Sequence, residues 1–207
     1  VSDDADRVQQ HRMSLLNEFA PFGLDKMTWM MQTHSTICHT INEQISFIAL
    51  EGDGLVTQRK GHALMMMTAD CLPVVLGNVD GTEVANLHAG WRGLANGIIE
   101  NTVREMQSPP TWAWLGAAIS QPCFEVGAEV KTIFCDKYPE LASTFIAGQA
   151  IGKYQADLYA IARFILNRLG VGTVLGGDQC SSLQAQDYFS YRRDVKTGRM
   201  ATFVFMQ

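Results

Sequence analysis

What the chain lacks narrows its possible roles first. No apolar stretch reaches the length of a membrane span and no signal peptide opens the sequence, so the expectation is a soluble, cytoplasmic protein with no membrane partner. Lysine and arginine form no run, and 16 basic against 21 acidic residues leave a net charge of −5. A nucleic-acid binder needs a basic face, so nucleic acid is not an expected partner. The five cysteines (Cys38, Cys71, Cys123, Cys135 and Cys180) are odd in number and have no compact spacing, which argues for reduced thiols rather than a disulfide framework. Internal repeats, low-complexity segments and linkers are also missing. With 207 residues and 47% apolar content, the reading is one domain over 1–207 with one core.

What is present reads as many short strands and a few helices. Ser2 or Asp3 caps a predicted helix to about Phe19, which Pro21 and Gly23 end. Residues 29–32 and 37–41 read as strands around a loop carrying His34. Strands are predicted over 63–68, 72–76 and 83–87, the last delivering His88, and the step Ala69-Asp70 breaks the first two apart. Helices are predicted over 94–106, 125–135 and 157–169, and further strands over 112–115, 171–175 and 202–205. Strands outnumber helices without regular alternation, which disfavours a doubly wound nucleotide fold.

Three metal-capable side chains lie beside turns: His34 in QTHST, Cys71 in TADCLPVVL and His88 in NLHAGWRGLANG. Two imidazoles and a thiolate suit zinc, and three protein ligands leave one coordination position open, as in catalytic sites. The intervals between them are long, so spacing alone leaves the bland reading standing: Cys71 a small buried apolar residue and both histidines satisfied polar groups at strand ends. A multicopper centre needs more imidazoles than His11, His34, His39, His62 and His88 supply. A mononuclear copper site with a weak methionine stays conceivable because Met65, Met66 and Met67 lie nearby in sequence, although such a run on a strand usually fills a core.

Five segments together resemble one family. TADCLPVVL, HAGWRGLANGIIENTV, LGAAISQPCFEVGAEV, DLYAIARFILNRLGV and FSYRRDVKTGRMA look like the motifs of the laccase-domain, or YfiH, family, in order and over the whole chain. These bacterial proteins were first labelled multicopper polyphenol oxidoreductases and later assigned as zinc-dependent purine nucleoside phosphorylases with adenosine deaminase activity. The resemblance implies an α+β fold, a mixed-sheet sandwich with outer helices (α/β/β/α-like) akin to the catalytic domain of cytotoxic necrotising toxins. It implies His34, Cys71 and His88 as the metal ligands, Zn2+ as cofactor with copper as the alternative, and purine nucleoside and phosphate as small-molecule partners. The family pattern normally carries a strand and loop before the equivalent of VSDDADRV, which implies an upstream segment. Two departures stand out: the family's QVHG is Gln32-Thr33-His34-Ser35 here, and its ADALVT is Gly52-Asp53-Gly54-Leu55-Val56-Thr57, with Asp53 kept.

Two further residues complete the expected catalytic set of Cys71, His88, Asp70 and Arg92. Arg92, before a helix start, could grip phosphate with the helix N–H groups, or merely pair with a carboxylate. Asp70 precedes Cys71, so on a regular strand the two face opposite ways unless the backbone kinks. It could orient a histidine ligand or carry a proton, with a turn role as the alternative. Arg192, Arg193 and Arg199 form a second cationic cluster for which a structural role is the default. The deaminase signature H-x-E…P-C-x-x-C is absent, so deamination here would use another arrangement. Copper-dependent polyphenol oxidation stays a minority alternative, and two further rivals remain: a metal-free cysteine hydrolase, for example one editing peptidoglycan precursors, with Cys71 as nucleophile and His88 as base, and a non-catalytic metal-storage or scaffold protein.

Overall fold

The computed structural model describes residues 3–41 and 50–207; the alternative cap Ser2 lies outside them. Asp4, rather than Asp3, caps α1 (Ala5–Phe19): its carboxylate accepts from Arg7 N and satisfies one of the free amides of the first turn. Gly23, at φ +92°, closes the turn that follows. Then come β1 (Lys26–Thr28), β2 (Met30–Met31), β3 (Cys38–Ile41), β4 (Leu50–Glu51) and β5 (Gly54–Thr57). β4 and β5, of two and four residues, are too short to show a period in the sequence.

The apolar runs behave as expected. β6 (His62–Thr68), β7 (Leu72–Gly77) and β8 (Val84–Ala89) are almost wholly buried, as continuous apolar strands covered on both faces must be. The helix expected over 94–106 is instead two: α2 (Trp91–Asn96) and α3 (Ile98–Glu105), divided at Gly97, whose φ of +98° no continuous helix accommodates. After β9 (Trp112–Leu115), the helix expected from Glu125 yields its first three residues to β10 (Glu125–Gly127) and begins as α4 (Ala128–Lys137). β11 (Phe145–Ala147) and β12 (Lys153–Ala156), unforeseen, pair with β10 in a small antiparallel sheet. The Asp157 carboxylate caps α5 (Leu158–Arg168) by accepting from Ala160 N, and β13 (Thr173–Gly176) and β14 (Met200–Val204) complete the chain.

Six strands form the principal sheet in the order β13-β9-β7-β8-β5-β3, with parallel pairs at both ends and antiparallel pairs between. On one face, Val74, Leu76, Leu87 and Val56 pack with Ile98 and Ile99 of α3 and Ile161 and Ile165 of α5. Side chains alternate along a strand, so Val84, Asn86 and His88 turn to the opposite face. There the three-stranded sheet β1-β6-β14 packs, sharing a second core of Leu55, Leu64, Met66 and Val84. Phe19 of α1 meets Phe203 edge-on at 5.0 Å beyond that sheet. The layers therefore run helix, sheet, sheet, helix, the mixed-sheet sandwich anticipated from the sequence.

Asn86 stitches the two sheets together. Fully buried, its amide donates to Leu64 O at 2.9 Å and Thr202 O at 2.8 Å, both on the facing sheet. Replacing it strands two carbonyls in an apolar layer. Asn86→Ala is expected to lower unfolding free energy by about 2 kcal/mol, read from urea denaturation with unchanged m-value.

Candidate metal centre

Each member of the site is delivered by a different irregularity in otherwise regular structure. The loop after β2 is docked by Gln32, whose side-chain amide donates to Met67 O and accepts from Met67 N, both at 2.8 Å. His34 follows in the left-handed region at φ +59°, an uncommon conformation for a residue with a side chain. Asp70 adopts φ +87°, and this is the kink that lets Cys71 leave the line of β6 and β7. His88 comes from β8 itself, one residue before its end, and is buried.

A single carboxylate organises the two histidines. Asp53 is fully buried, and its Oδ1 accepts from His88 Nδ1 at 2.7 Å. The same group accepts the backbone N–H of Thr33, His34 and Ser35 at 3.2, 3.2 and 2.6 Å, and the Ser35 hydroxyl at 2.8 Å. The loop carrying His34 is thus wrapped around the carboxylate that orients His88. With Nδ1 donating to Asp53, Nε2 is the His88 nitrogen turned toward a ligand, and it sheds its own proton to bind one.

The outcome is a converging trio. His34, Cys71 and His88 each offer a ligand atom, all within 4.8 Å of one another, and His34 Nε2 lies 3.7 Å from Cys71 Sγ. Metal–nitrogen and metal–sulfur bonds of about 2.0 and 2.3 Å at tetrahedral angles put such atoms about 3.4–3.6 Å apart. The cluster therefore fits a small tetrahedral cation with little movement, and three ligands leave a fourth position open. His34 and His88 rings meet at 73° with centroids 4.8 Å apart, so they do not stack out of coordinating geometry. Gly90 supplies the clearance: a Cβ there would lie 2.9 Å from Cys71 Sγ and 3.1 Å from His34 Cδ2.

Electrostatics without metal point the same way. Burial alone would push the Cys71 thiol up, but hydrogen bonds and charge from His34 and His88 outweigh it and hold it at about 6. Burial would lower His88, yet Asp53 and Cys71 raise it to about 9. Burial would raise Asp53, and His88 with Ser35 bring it down to about 2. Thiolate is the form that binds metals or attacks as a nucleophile.

The other expected residues are placed differently. Asp70 does not orient a histidine, a task that falls to Asp53. Its oxygens accept from Ser181 Oγ at 2.7 Å and Arg192 N at 2.6 Å, pinning the kink that presents Cys71. Arg92 lies inside the first turn of the six-residue α2 rather than ahead of a long helix, with its exposed guanidinium 4.4 Å from the Trp91 ring centroid. The second cationic cluster serves the backbone: Arg193 donates to Ser181 O, Ser182 O and Tyr188 O, and Arg199 to Thr197 O and Gly198 O. Cys180 Sγ accepts from Ser120 Oγ at 2.9 Å, outside the trio. His11, His39 and His62 also stay apart, and His34, Cys71 and His88 are the only such metal-capable group among the described residues.

Comparison with known proteins meets this geometry. Residues 1–207 match the family described as multi-copper polyphenol oxidoreductase laccase. The chain belongs to that family. Within it, the chain is 40% identical over 207 residues to the purine nucleoside phosphorylase YfiH of Escherichia coli (strain K12), spanning 99% of this chain and 83% of that protein. It is 34% identical over 221 residues to adenosine deaminase RL5 of an unknown prokaryotic organism, spanning 99% and 84%. The laccase-family fold is shared with solved structures. A crystal structure of a Neisseria meningitidis protein superposes with a TM-score of 0.92 at 42% identity, covering 100% of this chain and 84% of that one. YlmD from Geobacillus stearothermophilus gives 0.91 at 28% identity, covering 100% and 83%. Among the described residues, no helix is long and apolar enough to cross a membrane.

Asp53 was legible only as a retained turn residue, although an acid between two glycines before a buried strand is a recognisable signal. Asp53→Asn keeps the shape but loses the strong acceptor for His88 Nδ1 and the 33–35 amides. Metal affinity, measured by competition against a chelating dye, is expected to fall about 10- to 100-fold. Gly90→Ala should weaken it too, because the new methyl group displaces Cys71 Sγ.

Proposed function

We propose that this chain is a zinc-dependent purine nucleoside enzyme that catalyses phosphorolysis of nucleosides such as adenosine, inosine, guanosine or methylthioadenosine, and deamination of adenosine. The observation that carries the proposal is the convergence of His34, Cys71 and His88 with one coordination position open, in a chain whose relatives are named for these two activities. Zinc is preferred to copper because the donor set is borderline-soft and three-coordinate from the protein. Of the three methionines near Cys71 in sequence, Met65 and Met66 are buried in strand β6, Met66 in the core between the sheets, while Met67 is half-buried.

When bound, zinc would supply Lewis acidity, polarising oxygen atoms held at the open position. The chain's own residues do the rest. Asp53 holds the Nδ1 proton of His88 and thereby fixes the tautomer and ring plane. Asp70 keeps the strained turn that presents Cys71. Arg92, exposed two residues beyond the glycine that touches Cys71 and His34, offers a guanidinium to the phosphate co-substrate. In phosphorolysis the phosphate oxygen forms the new bond to C1′ as the bond to the purine nitrogen breaks, and the base takes up the electron pair and a proton. In deamination water adds at C6 and ammonia leaves.

One observation favours a second reading, a cysteine hydrolase: without metal, Cys71 is held as a thiolate at about 6 beside His88. Adenosine and inosine turnover in phosphate buffer, followed by chromatography, separates the two. Zinc-loaded protein is expected to release free base and to form inosine, and stripping with a chelator is expected to abolish both until zinc is returned. Substitution of His34 by alanine should cost at least about 100-fold, since the first reading needs all three ligands. Thiol-dependent hydrolysis that survives the chelator would replace the zinc reading by the hydrolase.

A further inference from the structure

The three-stranded sheet is narrower than the six-stranded sheet it covers, and the step where it stops leaves a cleft of about 180 Å3 between Trp114 on β9 and residues 200–202 of β14. Ala113 and Leu115 face the helix-side core, so Trp114 faces the opposite way, on the same side of the sheet as His88. Two glycines hold the indole: a Cβ at Gly116 would lie 2.8 Å from its ring, and one at Gly176 would lie 3.1 Å from its Nε1. The ring is nevertheless 40% exposed, an immobilised aromatic surface open to the cleft.

The rest of the lining mixes apolar Leu115, Ala117, Met200 and Ala201 with two uncommitted polar side chains. Asp178 and Tyr188 stand at the cleft, and among the described residues neither the Asp178 carboxylate nor the Tyr188 hydroxyl has a side-chain hydrogen bond or ion pair. β14 is the edge strand of its sheet, which leaves its outward backbone amides and carbonyls outside the ladder, apart from the Thr202 carbonyl that Asn86 already occupies. Buried Thr68, whose Oγ1 has no hydrogen-bond partner, closes the inner end. The volume holds about six waters or one bicyclic ring. A flat aromatic wall facing a donor–acceptor backbone edge, with a carboxylate to accept N–H groups, matches a planar heterocycle.

We infer that this cleft is a purine-base binding site, with the base stacked on Trp114 and its N–H groups directed to Asp178. The choice of a purine among planar heterocycles rests on the nucleoside reading above. The cleft is separate from the metal ligands, none of which lines it. Trp114 pairs with Val75 and Val75 with Asn86, so the indole lies two strand spacings, about 10 Å, across the sheet from Asn86, two residues before His88.

Equilibrium dialysis with adenine and hypoxanthine tests the inference, using wild-type protein and the Cys71→Ala, Trp114→Ala and Asp178→Ala variants, with folding checked by circular dichroism. Saturable binding should persist within about twofold in Cys71→Ala and weaken about tenfold or more in Trp114→Ala. Asp178→Ala, at an exposed position where folding is not at risk, should weaken adenine binding as well. Binding lost in Cys71→Ala, binding indifferent to both cleft variants, or displacement by tetramethylammonium, which would mark a cation site, would each overturn it. Nucleoside turnover by the wild-type protein is measured in parallel: purine binding without turnover keeps the cleft and removes the enzymatic reading, and turnover without cleft-dependent binding does the reverse.

Discussion

One buried carboxylate holds the candidate site together. Asp53 is out of contact with water and would be costly to bury alone. It is compensated by four donors from residues 33–35 and by His88. Because these donors come from a loop and from a strand of the principal sheet, satisfying Asp53 brings two distant candidate ligands to one point. Its own backbone also accepts from His88 N at 2.8 Å, so ligand strand and carboxylate are bonded twice. The Ser35 hydroxyl, at the position where the related pattern has glycine, adds one more donor to the same oxygen that Ser35 N uses.

The second constraint is backbone strain beside the ligands. His34 and Asp70 are the only non-glycine residues at positive φ among those described, and both lie within one position of a ligand or are one. Such conformations cost on the order of 1–3 kcal/mol each and persist only where surroundings enforce them. Asp53 enforces the first through the amides of residues 33–35. Ser181 and Arg192 N enforce the second through the Asp70 side chain, which ties the C-terminal segment to the Cys71 turn. The candidate metal ligands are thus preorganised by contacts reaching across most of the chain.

Much of this was legible in the sequence, for identifiable reasons. β6, β7 and β8 announced themselves because continuous apolar runs are needed where both faces are covered, and α5 because Asp157 caps a strongly periodic segment. The motifs around His34, Cys71 and His88 pointed to one site although spacing alone could not. β4, β10, β11 and β12 were not readable, since strands of two to four residues carry no period and exist only through their partners. The break at Gly97 and the start of α2 at Trp91 depend on how the segment packs under the sheet. The roles of Asp53 and Asp70 were exchanged for a similar reason: sequence neighbours of a candidate ligand look like its partners, whereas the fold brings the carboxylate partner of His88 from the residue just ahead of β5, the strand paired with β8.

X-ray absorption at the zinc edge of the protein as purified examines the metal centre most directly. A site built by His34, Cys71 and His88 gives one sulfur at about 2.3 Å, two imidazole nitrogens at about 2.0–2.1 Å and a single further light atom in the open position. A zinc-edge spectrum with two or more sulfurs or a closed shell of protein ligands, or a copper edge in place of the zinc edge, would contradict it.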